Sequence, residues 1–250
     1  MAVAPGTSFS VPRSSKPKAS IGSASSLFLV GCLALIWGIT NVAEGAASDS
    51  FLDFETDLLK FKMFSRANSV AMLDRASAQG LSACDIDAQR ALLLLEIPLA
   101  DGALQSGASE EFGRRTRSLE LRARQALACA PRDSLVWLIL FGLEIEHGDL
   151  SKHTFELLKM SYDTSPNEAW LSMRRITVAI PVVLAAPELL QRMIFSEFQG
   201  LIKNRMVEIP ARIFSNAHAP IQALLRSRIL ELDPRYQRLF YDALAALPHT

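Results

Sequence analysis

Residues 19–43 carry no charge over 25 consecutive positions, and the densest part of that stretch, Leu27-Phe-Leu-Val-Gly-Cys-Leu-Ala-Leu-Ile-Trp-Gly-Ile39, is almost wholly apolar. A helix needs about 20 mostly apolar residues to cross a bilayer. The uncharged stretch is therefore long enough for a single transmembrane helix. Its 13-residue dense part also has the length of a secretory signal's apolar region, with Ala43-Glu44-Gly45 or Gly45-Ala46-Ala47 as small-residue cleavage sites. A third form, a lipoprotein signal, is suggested by Leu29-Val30-Gly31-Cys32, although the apolar run continues past Cys32. The retained anchor is the leading expectation, and all three forms deliver the rest of the chain across the inner membrane.

Charge sets the orientation. The formal net charge of the 250 residues is zero, with 26 basic and 26 acidic side chains. Arg13, Lys16 and Lys18 all precede the first acid, Glu44, so the remainder holds 23 basic residues (26 less 3) against 26 acidic ones. Lys and Arg beside a span favour the cytoplasmic side. Residues 1–18, rich in Ser, Pro and Ala, are expected to form a disordered basic tail in the cytoplasm. Residues 48–250 are then an exported domain, periplasmic in a bacterium. Zero net charge also argues against a general nucleic-acid partner.

The exported part reads as helical. Period-two alternation is nearly absent, and apolar residues recur at period 3.6 instead. Phe51, Phe54, Leu58, Leu59, Phe61 and Met63 open a helix expected to continue through Val70, Met72 and Leu73 until Gly80. A second helix is expected over 85–96, and residues 99–109, with two glycines and several small polar residues, are expected to be a loop. Residues 110–130 form a long helix with Phe112, Leu119, Leu121, Ala126 and Leu127 on its apolar positions. Asp133 or Ser134 caps the next helix by accepting a backbone N–H bond, and Gly148 ends it. Ser151 starts another, and a further helix begins at Asn167. Pro181 should break the 12-residue uncharged run 176–187, which is too short to span a membrane. Pro187, Pro210, Pro220 and Pro234 each stand at or near a first helical turn.

An approximate repeat runs through the middle. Pro131 and Pro166 are 35 residues apart and Trp137 and Trp170 are 33 apart, with two helices between them. With Trp137, Gly142, Phe155 and Pro166, the unit at 131–166 is similar to a tetratricopeptide repeat, although His153 and Met160 stand where small residues are usual. Each hairpin in such an array must cover the apolar face that its neighbour leaves open. The expected fold is all-α: degenerate, tetratricopeptide-like helical hairpins following one N-terminal transmembrane helix.

The segment Ala126-Leu-Ala-Cys-Ala-Pro-Arg-Asp-Ser-Leu-Val-Trp-Leu138, with Ser161-Tyr162 and Pro166-Asn-Glu-Ala-Trp-Leu171, resembles bacterial single-span proteins, chiefly alphaproteobacterial, that accompany envelope or exopolysaccharide biosynthesis. The likeness covers about residues 80–180. It implies a periplasmic, repeat-like helical protein held at the bacterial inner membrane, and it brings no catalytic residues with it.

Few residues carry chemistry. Cys84 and Cys129 are the cysteines outside the apolar segment. An oxidising compartment permits them to pair, closing a loop of about 45 residues. The alternative is two free buried thiols. The basic face of the 110–130 helix, with Arg114, Arg115 and Arg117, is a candidate polyanion site; the plainer reading is a solvated helix face. His147 and His153, near Glu144 and Glu146, fall short of the three or four convergent ligands that zinc requires, and neither a metal nor a cofactor is expected. Glu55 with Asp57, and Asp85 with Asp87, read as helix-start charges. No nucleophile elbow, phosphate loop or dinucleotide fingerprint is present. The functional expectation is a membrane-anchored scaffold or adaptor with a protein partner. The alternatives are an accessory factor of exopolysaccharide biosynthesis that contacts the glycan or its machinery through the three arginines, and, more remotely, an enzyme.

Overall fold

The computed structural model describes residues 28–36, 38, 65–79 and 81–248. The chain divides into two units, residues 1–46 and 47–250. In the first unit, residues 28–36 are helical, and Phe28, Leu29, Val30, Leu33, Leu35 and Ile36 are exposed. Most of the expected 19–43 segment, and all of the 1–18 tail, lie outside the described residues. Among the described residues, no helix is long and apolar enough to cross a membrane.

The described part of the second unit is all-α. Its helices are α1 (Arg66–Gln79), α2 (Ile86–Gln105), α3 (Ser109–Cys129), α4 (Ser134–Glu146), α5 (Lys152–Thr164) and α6 (Ala169–Ala179). A 3-10 turn follows (Ile180–Ala185), then α7 (Glu188–Lys203), α8 (Glu208–Asn216), α9 (Ala219–Leu230) and α10 (Pro234–Ala245). The first half of the expected opening helix, residues 51–64, lies outside the described residues.

Local chemistry accounts for several of the boundaries. The Asp85 carboxylate accepts the Ala88 N–H at the start of α2. Asp133 accepts from Leu135 and Val136 at the start of α4, and Ser151 accepts from Thr154 at the start of α5. Each satisfies donors that a helix start leaves open. At the end of α4, Gly148 takes φ +79°. Its N–H reaches the Ile145 carbonyl at 2.8 Å, and the Asp149 N–H reaches Glu144 at 2.9 Å. This is the paired closure that a left-handed residue allows. Pro181 lacks a backbone donor, and α6 stops just before it, giving way to the 3-10 turn.

Two expectations need correction. Residues 99–105 are helical rather than a loop: α2 runs to Gln105 with Pro98 inside it. Leu95, Leu99 and Ala103 keep falling on the buried face, and this packing outweighs the weak helix propensity of Gly102 and the bond lost at Pro98. The loop shrinks to residues 106–108, where Gly107 takes φ +73°. Leu121, expected on the apolar face of α3, is 61% exposed instead.

Successive helices pack on one another. Helix α1 packs on α2, α2 on α3, α3 on α4 and α4 on α5, after which α6 packs on α7 and α10 on α8. The α4–α5 contact is close because both facing residues are small. Ser134 Oγ donates to the Ser161 carbonyl at 2.5 Å, and Ser161 Oγ returns a bond to the Ser134 carbonyl at 2.9 Å. Trp137, in the first turn of α4, donates its indole N–H to the Pro131 carbonyl at 2.9 Å. Beyond the 3-10 turn the pattern loosens. The carboxy-terminal helices gather around Phe240, whose ring centroid lies 6.2 Å from that of Phe198 and 5.6 Å from that of Phe214.

Candidate functional site

Helices α2, α4 and α6, the first members of three successive hairpins, line a groove of 420 Å³ to which α3 and Pro181 also contribute. That volume lies within the range of ordinary ligand and peptide pockets, about 300–1,000 Å³. The floor is apolar. Along α4, Leu135, Leu138, Ile139 and Leu143 face into it in succession, at the i, i+3, i+4, i+8 spacing of one helix face. Gly142 belongs to the same stripe, and a Cβ there would lie 3.8 Å from Val178 Cγ1 of α6. The glycine thus leaves space on the floor without being required by the backbone.

The polar lining is sparse and placed unevenly. Thr116 and Thr177 turn their hydroxyls back onto their own helices, donating to the Phe112 and Met173 carbonyls. That leaves Asp101, Glu146 and Arg174 as the charged lining residues. Asp101 stands near the end of α2, and Glu146 is the last residue of α4. Partial removal of water holds the Asp101 carboxyl above the usual carboxylate range, and the nearby charge of Glu146 adds to the effect. Among the described residues, no ion pair reaches either carboxylate. Burial pushes the Arg174 guanidinium down. A long apolar floor with two carboxylates at one end is suited to holding an apolar body that has a polar end.

A second polar constellation is buried beside α4. Arg175 of α6 is 0% exposed, and its partner Glu197 of α7 is 7% exposed. Arg175 Nε and Nη2 donate to Glu197 Oε1 at 2.9 and 2.7 Å. Its Nη1 donates to the Ser161 and Ser165 carbonyls at 3.1 and 2.9 Å and to Ser134 Oγ at 3.4 Å. The guanidinium carbon lies 4.5 Å from the centroid of the Tyr162 ring, and Tyr162 Oη donates to Glu197 Oε2 at 2.8 Å. Burial and the Glu197 charge hold the Tyr162 phenol well above its ordinary range. One guanidinium thereby ties four helices together. Sequence reasoning missed this residue. The available signal is its register: Arg175 falls with Leu171, Ser172, Ile176 and Ala179 on the buried face of α6.

The residues singled out from the sequence are distributed as follows. Cys84, just before α2, is disulfide-bonded to Cys129, the last residue of α3, with their Cα atoms 5.3 Å apart. Arg114 and Arg115 both bond the carboxylate of Glu111, and Arg115 Nη1 also lies 3.9 Å from Glu96. Arg117 is exposed. The three arginines therefore do not present a common open face. Glu96 is buried, and desolvation raises its carboxyl against the opposing pull of Ser118, Arg122 and Arg115. His147 and His153 are both exposed. Asp149, beside them, is lowered chiefly by hydrogen bonds from the Ser151 N–H and hydroxyl, with His153 contributing least. Among the described residues, no group of three or more His, Cys, Asp or Glu side chains could hold a metal ion. Asp85 is the helix cap described above, and Asp87 lies 3.9 Å from Arg90. Glu55 and Asp57 fall outside the described residues. No family model matches the chain, and no significant match was found among curated proteins or solved structures.

Proposed function

We propose that the chain is a membrane-tethered scaffold of the bacterial envelope, a degenerate tetratricopeptide-like array whose α2–α4–α6 groove docks a segment of a partner protein. The observation that carries the reading is the groove itself. First helices of consecutive hairpins line an apolar trough, the arrangement by which helical repeats form concave binding surfaces. The uncharged stretch at 19–43, with cations before it and acids after it, supports the tether and its orientation. The Cys84–Cys129 bond fits an oxidising compartment.

Two measurements test the reading. A reporter enzyme active only outside the cytoplasm, fused after Thr250, is expected to be active; activity confined to a cytoplasmic reporter overturns the placement. Cross-linking in intact membranes is expected to trap one partner with the native chain and to lose it with Gly142→Phe, which fills the trough floor. A cross-linking pattern unchanged by that substitution overturns the docking role.

A further inference from the structure

The groove has a direction, and its charge identifies what enters it. Helices α2 and α4 are each followed by a returning helix, and α3 packs against both, so α2 and α4 run the same way. Their carboxy-terminal ends lie at one mouth, together with Asp101 and Glu146. Helix carboxy-terminal ends carry partial negative charge from carbonyls without intrahelical donors. The mouth therefore combines two carboxylates, neither ion-paired among the described residues, with two negative helix ends. Arg174 of α6 is the one basic side chain among the described lining residues. The floor is equally specific in shape. On α4 the lining runs from Leu135 to Glu146, about 16 Å at 1.5 Å per residue. A linear apolar floor of that length suits the i, i+3, i+4, i+7 face of an amphipathic helix better than a compact small molecule.

We propose that the partner segment is an amphipathic helix of three to four turns that lays its apolar face along α4 and places a Lys or Arg side chain between Asp101 and Glu146. This rests on reading the groove as a docking site. It adds the sign of the charge that the partner must carry and the end of the trough at which that charge sits. An acidic side chain in the same place meets two carboxylates and two helix ends of like sign, an arrangement that discriminates against wrong partners as well as favouring right ones.

The test uses the full chain in nanodiscs of zwitterionic lipid, with empty discs as background. The probes are fluorescent peptides of about 14 residues with leucines at helical spacing on a glutamine background. One ends the stripe with a lysine and a second with a glutamate. The lysine peptide is expected to bind at least about tenfold more tightly than the glutamate peptide. That preference should fall below about threefold in Asp101→Asn/Glu146→Gln, and binding of both peptides should be lost in Gly142→Phe. Val178→Phe fills the trough from the facing helix and serves if the glycine variant fails to fold. Equal binding of the two peptides, still lost on filling the trough, overturns the cationic partner and leaves the docking site standing. Binding that filling does not affect, or no binding at all, overturns both. Displacement of the probe by a peptide of residues 51–64 of this chain, which carries Lys60 and Lys62 among Leu58, Leu59, Phe61 and Met63, assigns the groove to the chain's own sequence and overturns an external partner.

Discussion

Arg175 on α6 and Arg114 on α3 carry the same chemical group in opposite settings. On α3, Arg114 is 67% exposed and meets a Glu111 that is 23% exposed; such a pair sits in water and contributes little. On α6, Arg175 is fully buried and Glu197 is only 7% exposed, and Arg175 Nη1 is aimed at two carbonyls and a hydroxyl. A buried pair of this kind is strongly destabilising to break, because the surviving charge is left without compensation, even where its net contribution against an apolar replacement is small. A row of arginines attracts notice in a sequence, yet it is the buried Arg175 that links four helices. Burial, not number, decides which charge the fold depends on.

The largest test of this contrast is Arg175→Met, which strands Glu197 and is expected to cost about 3–5 kcal/mol in urea unfolding. Arg175→Met/Glu197→Met should recover most of that loss; a single variant within about 1 kcal/mol of the native chain would remove the clamp from the account. Next in size is Cys84→Ser/Cys129→Ser. Opening a loop of 45 residues should cost up to about 4 kcal/mol in the chain-entropy picture, read as the difference between native and variant unfolding midpoints without reductant. Equal midpoints would mean that packing alone sets the stability of the α2–α3 hairpin.

Asp101→Asn comes third and has a sign that depends on pH. The folded state raises the Asp101 carboxyl through partial loss of water and the Glu146 charge. The folded chain therefore holds that proton more tightly than the unfolded one, and ionisation as pH rises lowers stability. Variant and native chains should melt together below about pH 4, with the variant becoming the more stable as pH rises above that. A gap of the opposite sign would place Asp101 in a favourable ion pair. The smallest effect is expected from Arg114→Ala, within about 0.5 kcal/mol of the native chain. A larger loss would show that the α3 face is more than a solvated surface.

The helical class and many helix boundaries are legible in the sequence because their causes are local. The Asp133 cap, the Gly148 stop and the Pro181 break each act within a few residues. The true length of α2 is not legible, because Leu99 and Ala103 hold it helical through contacts with distant parts of the chain, against Pro98 and Gly102. The groove is hidden for the same reason: its lining is drawn from four helices, and only the fold brings Asp101 and Glu146 to one mouth. Arg175 is visible as a cation on an apolar stripe, but its partner Glu197 lies two elements further along the chain.

The sulfur bridge between Cys84 and Cys129 turns α2 and α3 into a closed ring whose far point is the short bend at residues 106–108. A single proteolytic nick at that bend would leave the two arms attached, and they would migrate as one species on a gel until a thiol is added. The α2–α3 pair can therefore survive a cut at this exposed bend with both of its helices still joined.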